Sequence, residues 1–128
     1  MESKRRVLVL EDDEGVRWSL ESILTHFGFE VNVAANSSQF IAAINSDSHF
    51  DLMITDFNLD EAAFDGLSAV EAIRKKEPLL PIVMITAESL SHPRISQLSG
   101  THSVATLEKP FSLTSLLKVL AKLGVSTE

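Results

Sequence analysis

The chain predicts an α/β fold, a doubly wound five-stranded parallel sheet with helices on two faces. Three observations lead there. Short apolar runs alternate with helix-period segments five times along the 128 residues. Three of those runs, Val7–Leu10, Leu52–Thr55 and Ile82–Thr86, are rich in Val, Ile, Leu and Met without polar alternation, as strands covered on both faces should be. Repeated strand–helix units joined by right-handed crossovers leave few arrangements other than a parallel sheet.

In chain order, Val7–Leu10 is the first strand. A helix from about Glu14 to Phe27 follows, with Val16, Leu20, Ile23, Leu24 and Phe27 on one stripe and Gly28 as its stop. Glu30–Ala34 is a short second strand. Asn36 or Ser37 can cap the next helix, which buries Phe40, Ile41 and Ile44. After the third strand, Leu52–Thr55, a polar loop leads to a helix over Leu67–Lys76, carrying Val70 and Ile73 and ended by Glu77-Pro78. Ile82–Thr86 is the fourth strand. Ser89–Ser99 reads as a weak helix, with Pro93 in its first turn and Gly100 at its end. Val104–Leu107 is the fifth strand, and Ser112 caps a closing helix that turns Leu113, Leu116, Leu117, Leu120 and Leu123 inward.

Composition narrows the function. At 128 residues with 45% hydrophobic content, one domain buries a core without staples. The absence of cysteine removes disulfides and thiolate metal sites. The longest uncharged apolar stretch, Pro78 to Ala87, is too short to span a bilayer, and the amino terminus lacks the h-region of a secretory signal, so a cytoplasmic protein without membrane contact is expected. A net charge of −7 repels nucleic acid. The basic cluster Lys4-Arg5-Arg6 reads as solvated, so direct nucleic-acid binding by this chain is not expected.

Function in an open α/β sheet gathers beyond the carboxyl ends of its strands, where the strand order reverses. Glu11-Asp12-Asp13 follows the first strand, Asp56 closes the third, Thr86 the fourth, and Lys109 follows the fifth. Each has an ordinary explanation alone: the acid triplet caps a helix, Asp56 is a loop acid, Thr86 a strand residue, Lys109 a surface lysine. Together they make a site. Carboxylates converging from different strands raise one another's pKa unless a cation sits among them. Hard oxygen donors without His or Cys favour Mg²⁺, with a backbone carbonyl from the following loop, that of Asn58, expected to complete the set. Such an arrangement suits phosphoryl transfer onto a carboxylate, with Lys109 as a second cation and the Thr86 hydroxyl as a hydrogen-bond donor.

The pieces V-L-V-L-E-D-D-E-G-V-R, D-L-M-I-T-D-F-N-L, F-D-G-L-S-A-V-E-A-I-R, P-I-V-M-I-T-A and L-E-K-P-F occur in order with family-like spacing. In these the chain resembles the receiver domain of bacterial two-component response regulators, from about Arg6 to Leu123. The resemblance implies a single receiver domain over 1–128, a flavodoxin-like strand order 2-1-3-4-5 and a cis Lys109–Pro110 bond. It makes Asp56 the phosphoacceptor, Glu11, Asp12, Asp56 and the Asn58 carbonyl the Mg²⁺ ligands, and Thr86 and Lys109 the phosphoryl-binding pair. The donor would be a sensor histidine kinase or a histidine-phosphotransfer protein. Such a domain is a regulatory phosphoacceptor, not an enzyme acting on other substrates. Asn58 and Glu88 stand where the family sets the lifetime of the phosphate. Trp18, opposite the apolar stripe of the first helix, should be exposed near the surface where the phosphohistidine partner docks. An output protein or output domain would read the phosphorylated state, and a homodimer through the fourth and fifth helices is common in the family. The chain ends soon after the fifth helix, so an output domain is not expected within it: either the chain acts alone through protein contacts or it is a receiver cut from a larger regulator or hybrid kinase.

Two departures stand out. Thr106 occupies the switch position where the family usually has an aromatic residue, so the threonine–aromatic relay is missing. The stretch from Asp56 to Gly66 is about two residues longer than usual, and Asp60, Glu61 and Asp65 make it acidic. A solvated loop explains those acids, or they tune metal affinity. Three rivals remain. A phosphorylation-independent interaction module conflicts with the intact site but not with Thr106. A Mg²⁺-dependent hydrolase with an aspartyl intermediate would need an acid where Asn58 stands. A nucleotide-binding protein would need a Gly-rich or Ser/Thr-rich loop where three acids follow the first strand. The four histidines, His26, His49, His92 and His102, lack metal-ligand spacing and should lie on the surface.

Overall fold

A computed structural model of the chain describes residues 4–46, 49–87, 93–96, 104–125 and 127. Its elements run β1 (Arg6–Leu10), α1 (Glu14–His26), β2 (Glu30–Ala34), α2 (Ser37–Ile44), β3 (Leu52–Asp56), α3 (Gly66–Arg74), β4 (Ile82–Thr86), α4 (Pro93–Ser96), β5 (Val104–Glu108) and α5 (Leu113–Lys122). The five strands form one parallel sheet in the order β2-β1-β3-β4-β5. The order reverses between β1 and β3, so the ends of those two strands open onto one crevice.

Alternation of side chains along each strand splits the core in two. Leu8, Leu10, Met53, Ile82 and Met84 face one side and pack with Phe40, Ile44, Leu67, Val70, Ile73 and Ile95. Val7, Val9, Leu52, Ile54, Val83 and Ile85 face the other and pack with Leu20, Leu24, Leu116 and Leu120. All five residues of β3 and of β4 are buried, which is why these strands read as continuous apolar runs.

Helix starts follow the capping rules. Asp13, Asn36, Asp65 and Ser112 are N-caps whose side chains accept the N–H three residues on. Gly28, at φ 90°, takes the left-handed conformation just beyond α1.

Several boundaries and burials differ from expectation. The third helix spans Gly66–Arg74 rather than 67–76, because Asp65 rather than the loop before Leu67 provides its cap. The fourth helix is described as a single turn from Pro93, and the remainder of Ser89–Ser99, with Gly100, lies outside the described residues. Ile41 was expected inside but is 40% exposed. It lies one residue, and so about 100° of rotation, from the buried Phe40. Leu113 was expected to face inward and is 46% exposed. A helical side chain covers the turn preceding its own Cα, and Leu113 opens α5 with no such turn beneath it.

The basic cluster is also used differently than expected. The Arg5 guanidinium lies over the Phe29 ring, and that of Arg6 over Phe50, with Arg6 also paired to Glu30 at 3.2 Å. Their charge serves the amino-terminal edge of the sheet. Among the described residues no helix is long and apolar enough to cross a membrane.

Candidate functional site

The acid triplet after β1 divides between two tasks. Asp13 turns away to cap α1, accepting the Val16 N–H at 2.9 Å. Glu11 points inward, 1% exposed, and one of its oxygens accepts the Asp13 N–H at 3.1 Å. Arg17, one turn into α1, donates to the Glu11 carbonyl at 2.9 Å and ties the helix to this bend. Asp12 is half-buried, and its Oδ2 accepts the Asp60 N–H at 2.7 Å. Asp56 ends β3 beside them, 4% exposed. One carboxylate oxygen from each of Glu11, Asp12 and Asp56 lies within 4.8 Å of the others, a grouping that could hold a metal ion.

Lys109 completes the cluster from β5. Its N–H donates to the Thr86 carbonyl at 2.8 Å, fixing the chain just beyond the strand, and the Lys109–Pro110 bond is cis. The ammonium reaches Asp56 Oδ2 at 3.2 Å and Glu11 Oε2 at 3.4 Å. Residues 98 apart in sequence thus meet at one point.

Burial governs the electrostatics. It pushes the Glu11 carboxyl up from 4.5 to about 7, against the Asp13 N–H; the Asp56 carboxylate adds to the rise and the Lys109 ammonium opposes it. Burial also raises Asp56, outweighing Lys109 and a hydrogen bond from the Asn58 N–H, with Asp12 adding to the rise. For Lys109 burial works toward neutrality, yet the two carboxylates prevail and hold its ammonium above the ordinary lysine value. One lysine against three acids leaves net negative charge at the cluster, which favours a divalent cation.

The other predicted residues fall around this cluster. Thr86 is fully buried at the end of β4, one residue past Ile85, the register partner of Asp56. Asn58 is exposed in the loop after β3, with its N–H on the Asp56 carboxylate. Thr106 sits half-buried on β5 opposite Met84. Trp18 is 68% exposed on α1, away from its buried Leu20 and Leu24. Glu88, His92 and His102 lie outside the described residues. His26 and His49 are exposed, His49 between Asp51 and Glu77 at 3.6 and 3.2 Å.

Asp60 and Glu61 are exposed, as a solvated loop should be, while Asp65 is half-buried, and two of the three acids also have defined partners. Glu61 accepts the Ser37 N–H and hydroxyl at 2.8 and 2.6 Å, and Asp65 both caps α3 and pairs with Arg94 at 2.8 Å. Arg17 and Arg94 escaped the sequence reading. An arginine in a helical stretch carries no sign of the distant backbone or carboxylate it will meet.

The model of the response regulator receiver domain matches residues 7–121. The chain belongs to that family. An NtrX-like response regulator of Rickettsia typhi is 31% identical over 94% of this chain and 25% of its own length. The receiver domain thus spans about a quarter of the curated relatives it matches. Among solved structures, the chemotaxis response regulator CheY4 of Vibrio cholerae is 28% identical with a TM-score of 0.80, over 94% of this chain and 99% of that one. NtrX from Brucella abortus, solved in complex with ADP, is 29% identical with a TM-score of 0.80, over 94% of this chain and 27% of its own. Membership makes the chain a regulatory domain of two-component signalling, a class that works in general as a phosphorylation-dependent switch.

Proposed function

We propose that Asp56 accepts a phosphoryl group from a phosphohistidine donor, with Mg²⁺ held by Glu11, Asp12, Asp56 and the Asn58 carbonyl. The observation that carries this is the meeting of the Lys109 ammonium, at 3.2 Å from Asp56, with three convergent carboxylates at the switch point of the sheet. In the transfer the P–N bond to the donor imidazole breaks and a P–O bond to an Asp56 carboxylate oxygen forms. When bound, Mg²⁺ would offset negative charge on the phosphoryl oxygens.

The chain's own groups do the rest. Lys109 is already ion-paired to the acceptor and would shift toward the new phosphoryl oxygens. Thr86, one residue beyond the strand position paired with Asp56, would donate its hydroxyl to one of them. The buried setting of Asp56 excludes bulk water from most approaches to the acyl phosphate. Asn58, exposed beside it, and Glu88 would orient the water that ends the signal; an unchanged phosphate half-life after replacing both would remove that role.

Phosphorylation would then shift a pre-existing balance between two surface states, read by an output domain or a separate protein. Because Thr106 offers no ring to move, the relay must use other contacts. Incubation with acetyl phosphate, followed by intact mass measurement, tests the reading. A gain of one phosphoryl group that requires Mg²⁺ and disappears in Asp56→Asn is expected. An equal gain in that variant would move the acceptor to another residue and overturn the assignment, and no gain in the wild type would favour an interaction module that works without phosphorylation.

A further inference from the structure

The loop between β3 and α3, residues 57–65, is held from outside at three places. At the metal end the Asp60 N–H fixes Asp12 Oδ2 at 2.7 Å. In its middle Glu61 takes two hydrogen bonds from Ser37, the first residue of α2. At the far end Arg94 grips Asp65 with both arms of its guanidinium, Nε to Oδ2 at 2.9 Å and Nη2 to Oδ1 at 2.8 Å. That is the fork geometry in which an arginine–carboxylate pair is strongest and most directional.

Asp65 is also where the loop rejoins the site. It caps α3 through a reciprocal pair with Ser68. The next residue, Gly66, donates to the Phe57 carbonyl at 2.8 Å and sits so close to β3 that an added Cβ would lie 2.6 Å from the Asp56 carbonyl oxygen. Arg94 itself has a firm base, because its neighbour Ile95 is 4% exposed in the core beneath α4. A chain of contacts therefore runs from α4 through the arginine to the loop that aims Asp12.

We propose that Arg94 is a positioning residue for the metal centre: its clamp on Asp65 holds the loop in the conformation in which the Asp60 N–H orients the Asp12 carboxylate. The inference rests on the reading of Glu11, Asp12 and Asp56 as a cation site. A carboxylate already fixed by a donor gives up less freedom when it ligates, so groups behind the ligands set affinity. Freed from Arg94, the loop keeps the Glu61–Ser37 contact and its own ties at Asp65 and Gly66 but loses its link to α4, and Asp12 loses part of its orientation. By linkage the coupling is reciprocal: a cation bound at Asp12 tightens the grip of Arg94 on Asp65. That gives α4 a route to sense the site that does not pass through Thr106.

Calorimetric titration of Mg²⁺ into the whole chain tests this, comparing wild type with Arg94→Ala, Asp65→Asn and the double variant. Asp65→Asn removes the charge and half the fork but keeps a cap, since asparagine caps as well as aspartate. Each single variant should bind Mg²⁺ roughly three- to tenfold more weakly, and the double no more weakly than the worse single. Arg94→Lys, which keeps the charge without the fork, should fall between. A role confined to stability would lower the urea midpoint in chelator and leave Mg²⁺ affinity within about twofold of wild type. That result, or losses that simply add in the double variant, overturns the inference. If wild type binds Mg²⁺ and both singles bind it equally well, the cation site stands and only the clamp falls. If wild type shows no Mg²⁺ binding, both are wrong.

Discussion

Glu11→Gln should stabilise the metal-free protein above neutral pH. The buried carboxyl is raised from 4.5 to about 7, so between those values the folded chain keeps a proton that the unfolded chain releases. Stability therefore falls as pH rises through that window, and the penalty is complete above about 7. At about 1.4 kcal/mol per pH unit the shift corresponds to roughly 3 kcal/mol, a large share of the stability of a small domain. The amide has no such proton to lose and also spares Asp56 a neighbouring negative charge. Urea unfolding of wild type and variant in chelator, at about pH 5 and about pH 8, isolates the term. The wild type should lose roughly 2 kcal/mol relative to the variant between the two pH values, since part of the penalty is already present at about pH 5, and Mg²⁺ should restore most of that loss at the higher pH. A wild-type-to-variant difference that stays constant within about 1 kcal/mol would refute the account of Glu11 as an acid raised by burial.

Three further outcomes follow from the same geometry. Gly66→Ala would place a Cβ 2.6 Å from the Asp56 carbonyl and from Met84 Sδ, and 2.7 Å from Phe57 Cα; the unfolding free energy from urea titration should fall by about 1–3 kcal/mol, with slower labelling by acetyl phosphate, and unchanged values would mean the contact is soft. Burial alone would raise the Asp65 carboxyl, but hydrogen bonds from Arg94 and Ser68 hold it below its ordinary 3.8. Its contribution is present above that value and lost as pH falls through the lower folded one, so Asp65→Asn should flatten the acid limb of a stability–pH profile; an unaltered limb contradicts the pairing. Trp18→Ala, at a position 68% exposed, should change stability by less than about 0.5 kcal/mol and slow phosphotransfer from a phosphohistidine partner but not from acetyl phosphate. Equal slowing with both donors would remove its docking role.

Much of this molecule is legible in its sequence because the signals are periodic or local. Continuous apolar runs gave β1, β3 and β4 within a residue, and capping chemistry placed Ser112 correctly and had Asn36 as one of two candidates. The meeting of Glu11, Asp12, Asp56 and Lys109 was also foreseeable, since each follows a strand and parallel strands bring their carboxyl ends together. Burial at element edges was not. Ile41 and Leu113 are apolar and near a stripe, yet the angle of one and the end position of the other leave them in solvent. The polar contacts of the loop 57–65 were hidden for a different reason. Asp60 contributes a backbone N–H, for which no residue type is diagnostic, while Glu61 and Asp65 meet partners 24 and 29 residues away. An acidic loop looks solvated until the elements that receive its hydrogen bonds are in place.

The central claim is that one carboxylate, Asp56, becomes the acyl phosphate. Borohydride reduction of the chain after treatment with acetyl phosphate and Mg²⁺ converts an aspartyl phosphate to homoserine, and peptide mass spectrometry locates it. The account predicts homoserine at position 56, and none in a sample without Mg²⁺. Reduction product at any other acid, or none at 56 in protein that demonstrably binds Mg²⁺, would contradict it.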